Sequence, residues 1–412
     1  MDLSQQIPLL KERRILLGVT GSIAIYKAAG LASRLTQAGA YVDVILSKSA
    51  QKFIHPITFQ SVTGRRVYTD EDMWAAEGHI LHVGLAETAD LYVIAPATAN
   101  TISKLANGHA NSLLTVTAIA SHCPMLVAPA MDTNMYAHLA TQKNVEILRE
   151  RGVVIVGPAE GRMASGLLGK GRLVETTELV GHIRREFGQR GPLAGLKFTV
   201  TAGGTQEPID AVRNLTNRSS GKQGFALAQA AIDRGAEVTL ITAPSFLETP
   251  VGAHRINVRT ASEMKDAVLQ SIDKIDVLLM AAAVADFRPV EISTEKIKRR
   301  KGIPQIQLEP TEDILSLVAE VSRKSGWPRL IVGFAAESED LVANARLKLE
   351  EKDLTLIVAN DITTADAGFE VDTNQVTLID AEGGVQELPL MTKTEVSQAV
   401  LQRIIQLLET VE

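Results

Sequence analysis

Short apolar runs recur along the chain, each set off by glycine-rich turns and followed by a stretch with helical spacing. Residues 91–95, 125–128 and 153–156 in the first half, and 277–281, 330–334 and 354–359 in the second, are apolar runs of four to six residues, interrupted only by Gly333 and Thr355. Runs of that length without polar alternation predict strands buried on both faces, the habit of parallel sheets covered by helices. Two segments share one layout. Residues 14–22 read strand then glycine turn, a helical pattern follows to residues 38–40, and a strand resumes at 41–46. Residues 197–204, a long loop, a helix over 221–234 and a strand to residue 241 repeat the scheme. A parallel pair needs a covering helix between its strands, so each segment opens a βαβ unit. The expected fold class is α/β, with two doubly wound Rossmann-like domains. Residues 188–195 hold three glycines and a proline between a helix (178–187) and a strand, so the domains are cut near residue 190, as 1–190 and 191–412. Residues 374–379, Gly383, Gly384 and a helix over 393–408 suggest an edge hairpin and a cap.

Composition narrows the function classes. With 42 Lys plus Arg against 48 Asp plus Glu among 412 residues, the net charge is −6, which disfavours a general grip on nucleic acid or an anionic membrane. The longest apolar run, 277–285, is far short of the ~20 residues that span a bilayer, and reads as a buried strand running into a functional turn. A single cysteine, Cys123, excludes an intrachain disulfide and any multi-cysteine metal cage. With no signal-peptide pattern at the N-terminus, these features predict a cytoplasmic protein.

Neither glycine turn has the G-x-G-x-x-G spacing of a dinucleotide site. The N–H groups of Gly21 and Ser22 at a helix mouth suit one phosphate, and equally suit a tight turn with Ser22 as N-cap. The second loop gathers Arg213, Arg218 and Lys222 with Ser219, Ser220 and Gly221 before a helix, a pattern for binding an anion rather than a merely solvated basic loop. It lacks the Walker spacing.

Several strings taken together resemble one family, the bifunctional phosphopantothenoylcysteine decarboxylase/phosphopantothenate-cysteine ligases of coenzyme A biosynthesis. They are GVTGSIAIYK from Gly18, GHI from Gly78, PATAN from Pro96, Ala110 with Asn111, and PAMDTNMY from Pro129. In the second half they are TAGGTQEP from Thr201, Val212 with Arg213, NRSSGK from Asn217, AAAVAD from Ala281, EKIK from Glu295, GFAAE from Gly333 and AND from Ala359. The resemblance implies a flavoprotein-type N-terminal domain with FMN on Gly21, Ser22 and Ser47 and its ring near Pro96, Thr98, Ala99 and Asn100. It implies His79 as the base, with Asn111 and residue 132 at the substrate. It further implies a C-terminal ligase domain that activates phosphopantothenate with CTP and Mg²⁺ as an acyl cytidylate, which cysteine attacks. There Asn217 would stabilise the intermediate, Arg213 orient it and Lys296 close over the triphosphate. Met280, Ala281, Ala282, Asp286, Asp313, Ile314, Phe334, Lys348 and Lys352 would line the nucleotide site. Asp286 would meet either the cytosine amino group or the metal. The partners implied are these small molecules and further copies of the chain in a homo-oligomer.

The chain departs from the family pattern at three places. Asp132 stands where Asn is usual, and an ionised Asp repels a substrate carboxylate, so it is expected protonated, turned away or bridged by a cation. Ser165 stands where a flap Cys usually protonates the product, and is expected to relay a proton from water or another acid. Cys123 precedes a strand and is expected to be buried. In the ligase half, Thr311 and Glu312 replace the family's Asn-Pro before Asp313. A ligase with a flavin-binding scaffold, or a regulatory flavoprotein module, are the competing readings.

Overall fold

Strand β1 (Arg14–Val19) is buried at every position after its first residue, so both its faces must be covered. The computed structural model, which describes residues 6–74, 80–298, 305–337, 340–361 and 371–411, covers them with helices. The chain divides into two compact units, residues 1–187 and 188–412. In the first, β1 pairs in parallel with β2 (Tyr41–Leu46), which pairs with β3 (Val67–Tyr68). On its other side β1 meets β4 (Leu91–Ala97), followed by β5 (Met125–Pro129) and β6 (Val154–Ile155). The order β3-β2-β1-β4-β5-β6 reverses direction between β1 and β4, which is where a doubly wound sheet opens its crevice. Helix Ile25–Gln37 buries Ile25, Ala28, Leu31, Ala32 and Leu35, the stripe its period dictates. Each fully buried leucine contributes about 1.5–3 kcal/mol. A separate antiparallel hairpin, β7 (Ala159–Arg162) and β8 (Leu168–Arg172), carries Ser165 in its turn.

The second unit repeats the scheme with more strands. β9 (Lys197–Ala202) leads into a small hairpin, β10 (Gln206–Pro208) and β11 (Asn214–Thr216). After β12 (Glu237–Thr242), β13 (His254–Asn257) and β14 (Val277–Met280) comes a second hairpin, β15 (Phe287–Pro289) with β16 (Leu308–Pro310). Then follow β17 (Leu330–Glu337), β18 (Leu356–Asp361), β19 (Thr373–Asn374), β20 (Val376–Asp380), β21 (Val385–Glu387) and β22 (Met391–Thr392). The large sheet runs β13-β12-β9-β14-β17-β18-β20-β21 and reverses direction between β9 and β14. β20 and β21 are its antiparallel edge, and helix Lys393–Val411 packs beside them through Val396, Val400 and Ile404.

Two expectations are refined. The run 277–285 is strand only to Met280, because Ala282 and Ala283 turn across β9. Ala282 N–H donates to Thr201 Oγ1 at 3.1 Å and Ala283 N–H to Gly203 O at 2.8 Å. The glycines of 188–195 also do more than loosen the chain. A Cβ at Gly191 would run into the Arg234 carbonyl, so this segment packs on the end of helix Lys222–Ile232. Among the described residues no helix is long and apolar enough to cross a membrane.

Candidate active sites

At the switch point between β9 and β14 lies a cleft of about 450 Å³. Asn217, Met280, Ala281, Ala282, Asp286, Asp313, Ile314, Phe334, Lys348 and Lys352 line it, together with Ser219, Ser220, Gly221 and Lys222 from the loop before helix Lys222–Ile232. Gly221 caps that helix in the left-handed region (φ 79°) with no side-chain cap, and of the first-turn N–H groups that of Lys222 reaches Ser220 Oγ at a long 3.5 Å, which leaves this helix start suited to an anion. Asn217 Nδ2 donates to Val284 O at 3.1 Å, which fixes its amide at the cleft wall. Asp313 caps helix Ile314–Ser325 and lies 3.1 Å from Lys352 Nζ. Thr311 Oγ1 donates to Ala285 O at 2.6 Å and its N–H to Asp286 O at 2.9 Å, so this departure ties the loop back to the 281–286 turn. Gln223 Oε1 and Asn360 Oδ1 are buried without partners among the described residues, and both residues line the cleft. Such orphaned acceptors are what a ligand's N–H or O–H would satisfy.

Arg213 and Lys296 do not line this cleft. The Arg213 guanidinium forks onto Asp210, whose carboxylate is fully buried, and Arg213 Nη2 also donates to Ile297 O at 3.2 Å. Lys296 is exposed on the segment that follows β15. At the other end of the cleft Lys222 Nζ pairs with Asp372 at 2.6 Å, and the buried Lys393 ammonium donates to Val371 O at 2.6 Å. Burial, then the neighbouring Lys222 charge, push Lys393 down to about 8.

In the first unit the chain leaves β1 through Gly21, where an added Cβ would lie 2.6 Å from Ser49 Oγ. Ser22 is not the helix cap. Ala24 holds that position, and the Ser22 N–H is taken by Thr20 O at 2.9 Å. Between Thr20 and Ile25 the N–H groups without a partner among the described residues are those of Gly21 and Ile23. Ser47, at the end of β2, shares a 3.1 Å hydrogen bond with Ser49. Pro96 lies in β4's buried run, which ends at Ala97 beside Thr98, the cap of helix Ala99–Ala106 that accepts from Thr101 N. Ser47, Ser49 and Asn100 border a second cleft of about 300 Å³, whose cations are Lys48, Lys52 and Lys104. Hydroxyls, open N–H groups and lysines around a glycine cradle fit a phosphorylated cofactor such as FMN. Asn111 is exposed just before the Ser112 cap of helix Leu113–Ala120.

The two departures meet. Ser165 Oγ donates to Asp132 Oδ2 at 2.7 Å, and Asn134 N–H to Oδ1 at 3.0 Å. The Ser165 bond first, then the Asn134 N–H, hold Asp132 below the usual carboxylate range. Of the three expected states protonation is the one this environment opposes; the carboxylate is ionised and held by Ser165 of the hairpin turn and the Asn134 N–H. Cys123 is half-buried rather than buried, and burial, followed by the Asp90 charge, raises its thiol above the ordinary value. His79 lies outside the described residues.

Two family models cover the chain: "Flavoprotein" over residues 4–188 and "DNA/pantothenate metabolism flavoprotein C-terminal domain" over residues 193–408. The Bacillus subtilis protein named "Coenzyme A biosynthesis bifunctional protein CoaBC" is 44% identical over 399 residues, 96% of this chain and 97% of that one. The chain belongs to this family. Its Mycobacterium tuberculosis member is 42% identical over 405 residues, covering 95% and 96% of the two chains. A crystal structure of a CoaBC C-terminal domain aligns at 39% identity over 53% of this chain and 99% of that one, with a TM-score of 0.46.

This member of the coenzyme A biosynthesis bifunctional family is thus a flavoprotein joined to a second catalytic unit. Gln223, Asn374 and Lys393 at the cleft escaped sequence reasoning. Lys393 entered the sequence reading only as the first residue of the closing helix; in the structure it is buried, and Ser397 Oγ donates to Lys393 O at 2.7 Å. Asp210 sat in a loop whose cations drew attention.

Proposed function

We propose that the C-terminal unit joins phosphopantothenate to cysteine with CTP as the activating nucleotide, and that the N-terminal unit decarboxylates the product with FMN, in a cytoplasmic homo-oligomer. The observation that carries the reading is convergence. Ten of the twelve residues that the family resemblance assigns to ligation, scattered from Asn217 to Lys352, line one cleft at a sheet's switch point.

A carboxylate is a poor acyl donor and needs a phosphoryl leaving group. Charge that develops on the phosphoryl oxygens would meet the Gly221 helix terminus, the Asn217 amide and lysines 222, 348 and 352. Among the described residues no cluster of three His, Cys, Asp or Glu could hold a metal. Magnesium would arrive on the triphosphate, and Asp286 is the carboxylate that the 281–286 turn offers it. In the first unit the flavin, when bound, supplies the electron sink that lets a cysteine-derived carboxylate leave as CO₂. The chain's part is to hold its phosphate on Gly21, Ile23 and Ser47 and its ring beside Pro96, Thr98, Ala99 and Asn100. Asp132, ionised, repels the substrate carboxylate, which leaves Asn111 to receive it. Ser165 points its proton at Asp132, so as a relay it must turn its O–H from Asp132 to the product and give up that proton while accepting one from solvent. Exposed Ile23 and Tyr26, at 64% and 65%, supply apolar surface for self-association.

The test is a coupled assay on the purified, yellow protein. Phosphopantothenate and cysteine should elicit pyrophosphate release from CTP, then CO₂. Pyrophosphate without CO₂ would favour a ligase on a flavin-binding scaffold, the reading that the missing thiol at Ser165 invites. Neither product would refute the proposal.

A further inference from the structure

The carboxylate of Asp210 accepts five hydrogen bonds although it stands at the tip of the exposed β10–β11 hairpin. Oδ1 takes the N–H groups of Val212 and Arg213, each at 2.9 Å. Oδ2 takes Arg213 Nε at 3.0 Å, Arg213 Nη2, and the N–H of Ile297 at 3.0 Å. The side chain has no exposed surface. Arg213 Nη2 closes the ring by donating to Ile297 O at 3.2 Å. A second strut lies alongside, Ser293 N–H to Ile209 O at 3.2 Å. The N–H and the C=O of Ile297 are therefore both held by the hairpin tip, and Ile297 is the residue after Lys296.

Arg213 is oriented by the same arrangement. Nε and Nη2 are spent on Asp210 and Ile297, while Nη1 has no partner among the described residues on a side chain that is 47% exposed. Its remaining donors thus face outward in a fixed direction, with no rotamer freedom left to lose when an anion arrives.

We infer that Asp210 is a positioning residue for ligation, a buried carboxylate that locks Arg213 and the Lys296 segment into one unit so that both cations are presented to the anionic reactants in a set relation. The inference deepens the ligase reading and rests on the roles proposed above for Arg213 and Lys296. Its arginine pair and three backbone donors keep Asp210 ionised throughout the working pH range.

A double-mutant cycle in the full chain tests it. Asp210→Asn removes the charge and gives one oxygen position to an amide donor that clashes with the Ile297 N–H. Asp210→Asn and Lys296→Ala are each expected to lower kcat/KM for CTP by about tenfold, and the double variant by no more than about threefold beyond the worse single. Effects that simply multiply would overturn the inference. Should Asp210→Asn not fold, Arg213→Lys takes its place, because it keeps a cation on Asp210 but loses the bridge to Ile297 O. An undiminished Lys296→Ala effect in that background is likewise fatal. A second readout needs no turnover: tryptic cleavage after Lys296 and Lys298 should quicken at least about fivefold in Asp210→Asn at an unchanged melting temperature, and unchanged cleavage would overturn the inference. If the wild type releases no pyrophosphate from CTP, the ligase reading fails while cleavage still judges the role of Asp210.

Discussion

Asp313 does two jobs with one carboxylate, and two substitutions separate them. Its Oδ1 accepts Leu315 N–H at 3.1 Å and Ser316 N–H at 3.3 Å, capping helix Ile314–Ser325, while Oδ2 accepts Ser316 Oγ at 2.9 Å and pairs with Lys352 at 3.1 Å. Asp313→Ala removes both functions. Asp313→Asn keeps the cap, because Asn and Asp cap almost equally well, and removes only the charge. Loss of the cap costs about 1 kcal/mol, within a range of roughly 0.5–2. The ion pair adds at most a few tenths, since the Asp313 side chain is 44% exposed and screened by solvent. In a unit of this size about 1 kcal/mol moves Tm by roughly 2–4 °C. Calorimetry on the full chain should therefore show the C-terminal transition about 2–5 °C lower in Asp313→Ala and within about 1 °C of wild type in Asp313→Asn. CTP affinity, read by titration calorimetry, should fall about equally in both, because both release Lys352. Melting of Asp313→Asn as low as Asp313→Ala would refute the capping argument, and wild-type CTP affinity in Asp313→Asn would refute the role of the pair. Partial burial works against ionisation, but Lys352 and Ser316 outweigh it and hold Asp313 below its ordinary value. With the folded pKa depressed, the ion-pair contribution is complete above about pH 4 and disappears as the pH falls through the folded value. The small gap between wild type and Asp313→Asn should close in acid.

Three further outcomes are expected. Gly21→Ala should cut the visible flavin absorbance per chain at least about tenfold, because its Cβ would overlap Ser49 in the cradle, and full yellow colour in that variant would move the phosphate site elsewhere. Under anaerobic conditions Ser165→Cys should raise the ratio of reduced aminothiol to oxidised enethiol, a thiol being the stronger acid, whereas Ser165→Ala should lower it; identical ratios in wild type and Ser165→Ala would exclude a relay through this hydroxyl. Lys393, at about 8 in the folded chain, leaves the unfolded chain holding the extra proton up to about 10.4, so stability gains from this residue as the pH rises from 8 toward that value. Urea midpoints of wild type and Lys393→Met across this window should diverge with that sign, and parallel curves would contradict it.

The fold was legible where burial on both faces erases polar alternation. The runs at 91–95 and 330–334 are strands because a parallel sheet under helices has no other use for them, and the Gly39 and Gly235 turns (φ 99° and 95°) mark the chain's return. The edge hairpin was equally plain, since Gly383 takes a left-handed turn (φ 93°) between β20 and β21. The cleft was legible only through motif strings. Residues as far apart as Asn217 and Lys352 have no local signal that they meet, because the meeting depends on which strands neighbour at the switch point. Asp210 and Asp132 show the other limit. Asp210 was one carboxylate in a basic loop and Asp132 a departure whose state the sequence left open, and what holds each lies 87 and 33 residues away. Ser22 was a plausible cap by residue type, but the 3-residue approach to the helix places Ala24 there.

The state of Cys123 bears on how this protein lives among its own reactants. Its cysteine substrate and the aminothiol it releases both carry free sulfhydryls, and the disulfides these form on oxidation exchange with any accessible protein thiolate they meet. The one thiol the chain offers is half-shielded and kept protonated by burial and by Asp90. Mixed disulfides between catalyst and metabolite are thereby discouraged, so the enzyme can work through changes in the cellular redox poise without being capped by the molecules it handles. The same inertness means that a thiol-reactive dye added to an assay counts reactant sulfhydryls with little contribution from the protein.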